Sequence, residues 1–224
     1  MKRLFKKIAS IALITAFTFS MIPGVGVKAA SNKQTKALAS YKSYLTKTAK
    51  KSSSNRTYGF YIMDLDNNGV PEMYCDTDKS DTIKLTTVLY KKGKNKKIYK
   101  SSDAVDSYYY SSSNKCIMSK QSSKKDTSTV ITYVIYEYNK NTFKEVQTIV
   151  VTDTNGTSTF TDGDGTSLSI EEAHTLIEGY MVDAVAMDFT KNTKKNRKKG
   201  VVINVAATMD GTLEFIPLGS ESEE

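Results

Sequence analysis

The sequence predicts an α+β fold: an antiparallel β-meander of hairpins with an N-terminal helix before it and one helix near 170–180. Three observations carry this. From residue 58 to residue 152, short runs rich in Tyr, Val, Ile and Thr alternate with turn residues, as half-buried strands do. Apolar residues at three-and-four spacing mark residues 34–50 and 170–180 as helical. Fourteen tyrosines, alongside many Ser and Thr, suit sheets with one wet face.

The chain opens with Lys2, Arg3, Lys6 and Lys7, continues as an apolar run from Ile8 to Ile22, breaks at Pro23-Gly24 and reaches Val27-Lys28-Ala29. That order is the pattern of a secretory signal peptide over residues 1–29, with cleavage expected after Ala29. The apolar run is about 15 residues, short of the roughly 20 that span a bilayer, so no membrane association is expected after cleavage. Residues 30–218 are expected to form a single α+β domain, long enough for a real core, with residues 219–224 as an acidic tail.

Removing the leader changes the charge. The formal +8 includes Lys2, Arg3, Lys6, Lys7 and Lys28, and residues 1–29 hold no acid, which leaves +3. A nucleic-acid partner is therefore not expected. Lysines still cluster at 91–100 and 191–199. Such clusters read as solvated loop tips, or as contacts to an anionic cell-wall polymer or glycan.

The first helix places Leu38, Tyr41, Leu45 and Thr48 on one stripe. Strands are predicted for YGFYIM, EMYC, TIKLTTVLY, KKIYK, DSYYYS, KCIMS, STVITYVIYEY and FKEVQTIVVT, separated by DNNG, KKGKN, SSSN, SSKKD and NKN. The hairpin after Val88-Leu89-Tyr90 resembles the one after Val134-Ile135-Tyr136, which reads as repeated hairpin construction and offers too few units for a propeller. Ser169 with Glu172 has the form of a capping box, opening a helix with Ile170, Ala173, Leu176, Ile177 and Tyr180 inward. Residues 182–190, and a hairpin over 201–218 turning at Asp210-Gly211, read as closing strands.

The most specific stretch is DLDNNGVPE. Oxygen donors fall at alternate positions: Asp64, Asp66, Asn68, the carbonyl of Val70, and Glu72, with Gly69 allowing the reversal. Calcium takes six to eight oxygens at roughly 2.3–2.6 Å, and such a loop supplies five before water is counted. An EF-hand does not fit, because its twelfth position is Cys75 and the flanks read as strands. A metal-free turn is the competing reading, since Asp, Asn and Gly all favour turns. Three acids brought together without a cation would repel one another, and a turn does not require them.

With the Tyr-rich YYYSSSNKCIMS and the helix SLSIEEAHTLIEGYM, this loop is similar to a group of exported proteins from clostridia-like Gram-positive bacteria. The resemblance spans most of residues 34–180, and its specific motif is DLDNNGVPE. It implies export, an α+β arrangement and the acidic loop, and it carries no activity.

Catalytic reagents are sparse. The single histidine, His174, lies on the second predicted helix with no partner for a metal trio. Cys75 and Cys116 have no activating context, and their spacing leaves a disulfide or two thiols open. Asp162-Gly-Asp164-Gly reads as a turn. Asp64, Asp66, Asp103 and Asp106 could assemble a carboxylate pair. Two expectations follow: a secreted, non-catalytic binding or surface-associated protein with a structural calcium loop, or a small extracellular hydrolase using carboxylates near that loop.

Overall fold

Helix α1 occupies Asn32–Thr48, two residues earlier at each end than its spacing predicts. The computed structural model describes residues 32–199. The expected leader, the hairpin predicted over 201–218 and the acidic tail lie outside the described residues. Ala37, Tyr41, Leu45 and Thr48 are the buried face of α1, the predicted stripe with Ala37 added and Leu38 at its margin.

After one 3-10 turn, four strands form a first meander: β1 (Gly59–Met63), β2 (Glu72–Asp76), β3 (Leu85–Lys91) and β4 (Lys94–Lys100). Five more follow: β5 (Ser107–Ser111), β6 (Cys116–Lys125), β7 (Ser128–Asn139), β8 (Thr142–Thr154) and β9 (Thr157–Asp162). The short β10 (Ser167–Leu168) leads into α2 (Ile170–Tyr180). Helix α2 starts as predicted: Ser169 Oγ accepts from the Glu172 N–H at 3.1 Å, and Glu172 Oε2 accepts from the Ser169 N–H at 2.7 Å.

The closing segment, residues 182–190, holds strands as expected, but short ones. It forms two two-residue strands, β11 (Val185–Ala186) and β12 (Thr190–Lys191). They join different sheets: β11 pairs with β5 and β12 pairs with β1. The sheet orders are β12-β1-β2-β3-β4 and β10-β9-β8-β7-β6-β5-β11. One short stretch of chain therefore ties both sheets together, and Met187 and Phe189 between the two strands enter the shared core. The lysine run that reads as a loop tip is instead helix α3 (Lys194–Lys199). Its Arg197 donates to both the carbonyl and the side-chain oxygen of Asn192.

Side-chain alternation sorts the chain into four layers. Phe60, Ile62, Met73, Cys75 and Val88 pack against α1. Tyr61, Met63, Tyr74 and Leu85 face the second sheet, where they meet Tyr108, Tyr110, Ile117 and Tyr138. Cys116, Met118, Ile135 and Ile149 face outward again, under Ala173 and Ile177 of α2. The order is helix, sheet, sheet, helix. The two look-alike hairpins belong to different sheets, each interrupts its register with a bulge, and they meet across the seam, Tyr99 lying edge-on to Tyr136 at 5.5 Å.

This layering answers the cysteine question. Cys75 lies beneath α1 and Cys116 beneath α2, on the outer faces of opposite sheets. Both are buried free thiols. Among the described residues no helix is long and apolar enough to cross a membrane.

Candidate metal centre

The loop between β1 and β2 reverses on two left-handed residues, Asn67 at φ 56° and Gly69 at φ 83°. Asn and Gly are the residues that tolerate this conformation. The reversal turns consecutive amides inward. Asp64 accepts from the Asn68 N–H at 3.0 Å and the Gly69 N–H at 2.6 Å, and Asp66 accepts from the Asn68 N–H at 3.3 Å. Asn68 Oδ1 in turn accepts from the Val70 N–H at 2.8 Å. The loop is thus built by its own acids, as the turn reading expects.

The geometry goes further than a turn. One carboxylate oxygen each from Asp64, Asp66 and Glu72 lies within 4.8 Å of the other two. Three points that close fit inside a circle of about 2.8 Å radius, near the roughly 2.3–2.6 Å over which oxygens hold calcium. The group could hold a metal ion.

Five ligands were expected from the sequence, and the three carboxylates among them lie together. Asn68 is exposed and closes the turn, while Val70 is half-buried and packs toward α1. The other acids serve elsewhere. Asp103 accepts from Ser102 Oγ, Asp106 accepts from the Ser122 N–H, and Asp162 accepts from the N–H groups of Asp164 and Thr166 in a turn.

Glu72 differs from its partners in being wholly buried. As the first residue of β2 it points into the seam between the sheets. Its Oε2 accepts from the Leu65 N–H at 3.1 Å, and its Oε1 accepts from the Tyr138 hydroxyl of β7 at 3.1 Å. Burial pushes its carboxyl up to about 8; the Leu65 and Tyr138 hydrogen bonds oppose the rise, and the neighbouring Asp66 and Asp64 add to it. Asp64 is also raised, by burial first, against the pull of the Gly69 and Asn68 N–H groups. The site holds its buried acid protonated at neutral pH unless a cation replaces the proton.

Three tyrosines frame this acid, and spacing in the sequence gives no sign of them. Tyr138 lies 66 residues away and reaches Glu72 because the sheets face each other. Tyr41 of α1 donates to the Pro71 carbonyl at 2.7 Å and accepts from the Tyr90 N–H at 2.8 Å, pinning the loop exit to the end of β3. Tyr74 is fully buried on the Glu72 face of β2, and its hydroxyl has no hydrogen-bond partner among the described residues.

The remaining reagents are quiet. Burial pushes the Cys75 thiol up to about 12 and the Cys116 thiol up to about 11, so neither is a thiolate at neutral pH. His174 sits half-buried on α2. Compared with family models, curated proteins and solved structures, the chain matches none.

Proposed function

We propose that this chain is an exported, non-catalytic binding or surface-associated protein whose first hairpin is locked by a structural calcium ion. The observation that carries the reading is the convergence of Asp64, Asp66 and Glu72, each offering an oxygen within 4.8 Å of the others. An all-oxygen donor set suits a hard cation and not one that seeks nitrogen or sulfur. Calcium tolerates irregular geometry and longer bonds, whereas magnesium demands a near-ideal octahedron at about 2.0–2.1 Å. Asn68, the Val70 carbonyl and water are the remaining donors of the proposed shell. Export rests on the basic, apolar and small-residue order of residues 1–29. A non-catalytic role is supported by two thiols buried and held protonated.

A small extracellular hydrolase using the same carboxylates is supported less well. A raised acid beside other carboxylates is what acid–base chemistry uses, but Glu72 is 0% exposed, and a substrate bond would have no route to it.

Calorimetric titration of calcium into residues 30–224 tests the reading, with the Asp64→Ala/Asp66→Ala double variant as control. Saturable binding and a calcium-dependent rise in melting temperature, both absent from the double variant, are expected. No heat and no shift at millimolar calcium would leave DLDNNGVPE as a turn.

A further inference from the structure

Val70, at the exit of the acidic loop, also lines an open cleft of about 440 Å³. Tyr90 and Gly93, the latter in the β3–β4 turn, also line it. Four lysines surround this surface: Lys33 and Lys36 from the first turns of α1, and Lys91 and Lys92 from the β3–β4 turn. Among the described residues no acidic side chain lines the cleft.

The walls are fixed by hydrogen bonds that do not involve the lysines. The Tyr41 hydroxyl joins Pro71, next to Val70, to the backbone of Tyr90. Ser40 Oγ donates to Asn95 Oδ1 at 2.9 Å and the Ser40 carbonyl accepts from Asn95 Nδ2 at 3.1 Å, which holds α1 against β4. The β3–β4 turn is tight, with Lys92 at φ 51° and Gly93 at φ 77°, the pair of positive angles that a two-residue hairpin turn requires. The cleft is therefore formed before any ligand arrives, which lowers the cost of binding.

Like charges gathered around a concave surface focus a positive field and raise the local concentration of anions. Two of the lysines come from α1 and two from the end of β3 and its turn, so two separate elements bring charge to the open cleft. A Val and a Tyr between them offer an apolar surface for the carbon face of a sugar, with the ring of Tyr90 as the larger contact. We propose that this cleft binds an acidic polysaccharide, with its carboxylates on Lys33, Lys36, Lys91 and Lys92 and its sugar rings on Val70 and Tyr90. The proposal rests on the binding role proposed above and needs no metal ion.

Oligogalacturonate serves as the probe, titrated into residues 30–224 in chelator at about 0.15 M salt, where contacts beyond a Debye length are screened. Circular dichroism checks that each protein is folded, and calcium is left to its own titration, so failure of the metal site and failure of the cleft are read separately. Lys36→Glu/Lys91→Glu removes one lysine from each element. Lys124→Glu/Lys125→Glu makes the same charge change on the distant β6–β7 hairpin. The cleft pair is expected to weaken binding by about tenfold or more and to flatten the salt dependence by about 1.4, at roughly 0.7 per lost contact with a flexible polyanion. The distant pair should leave both nearly unchanged. Inorganic polyphosphate, which carries charge but no sugar, should bind more weakly. Equal losses in the two pairs, tighter binding of polyphosphate, or binding that appears only after Ser220–Glu224 is removed would each overturn the proposal, the last by giving the cleft to the chain's own acidic end.

Discussion

Replacing Glu72 by Gln separates the two states of the acidic loop. The carboxyl has a folded value of about 8 against an ordinary 4.5. A group raised on folding stabilises the fold fully below its unfolded value, and that contribution is lost as pH rises through the folded one. Between pH 5 and pH 8 the metal-free protein should therefore lose about 3–4 kcal/mol from this residue, at roughly 1.4 kcal/mol per unit. Gln has the same shape and does not titrate. It keeps one acceptor for Leu65 or Tyr138 but turns an N–H toward the other donor, a mismatch that costs about 1–2 kcal/mol. The net expectation in chelator at pH 8 is that Glu72→Gln is more stable than the parent by about 2 kcal/mol, or about 4–8 °C for a domain of this size. At pH 5 the order reverses. With calcium added at pH 8 the parent rises and the variant does not, because the buried anionic ligand is gone. Melting curves at the two pH values, with chelator and with calcium, measure all of this. Parallel melting of parent and variant across the pH range in chelator would refute the claim that Glu72 is held protonated.

Calcium affinity should rise with pH as Glu72 gives up its proton: from pH 6 to pH 8 the gain is about 50-fold, with close to one proton released per ion at the lower pH. Calorimetry in two buffers of different ionisation enthalpy counts that proton. Tyr41→Phe removes the hydroxyl that joins Pro71 to Tyr90. It should cost about 1–3 kcal/mol in denaturant unfolding, since a buried carbonyl and a part-buried N–H lose their partner. Tyr74→Phe removes a buried hydroxyl with no partner among the described residues. It is expected to be neutral or stabilising by about 1 kcal/mol in the same assay, and a loss of more than that would mean the hydroxyl is in use.

Local chemistry made much of this fold legible. The Ser169–Glu172 box, the stripe of α1 and most turn residues between hairpins act over a few positions and appear where their spacing puts them; the SSKKD separator does not, since β6 runs on through Lys125 and the chain turns only after it. The loop acids were legible for the same reason: alternate residues on a reversing chain point to one side. What spacing could not supply was the partner of each face. Whether Cys75 and Cys116 meet depends on which side of each sheet turns inward, and the sheets place them on opposite outer faces. The burial of Glu72 follows from Tyr138, which arrives from another sheet. Residues 182–190 were legible as closing strands but not as to their partners: the chain uses them as a strap that pairs briefly with each sheet in turn.

The position of Glu72 gives the proposed metal a structural consequence. A wholly apolar residue at 72 would fill the seam between the sheets without titrating, and such replacements of buried charge are often neutral or stabilising. With Glu retained, the seam depends on what its carboxyl holds. Below about pH 8 a proton neutralises the carboxyl, and its burial carries no charge. Above that, the charge is tolerated if a cation shares it with Asp64 and Asp66. On the proposed reading, calcium at the millimolar levels that extracellular modules are tuned to would fill this role, and a chain still inside the cell would lack it. The loop would then tighten the junction of the two sheets only after export. The calcium-dependent rise in melting temperature measures how large that difference is, and it should grow as pH rises through about 8, where the proton no longer neutralises Glu72.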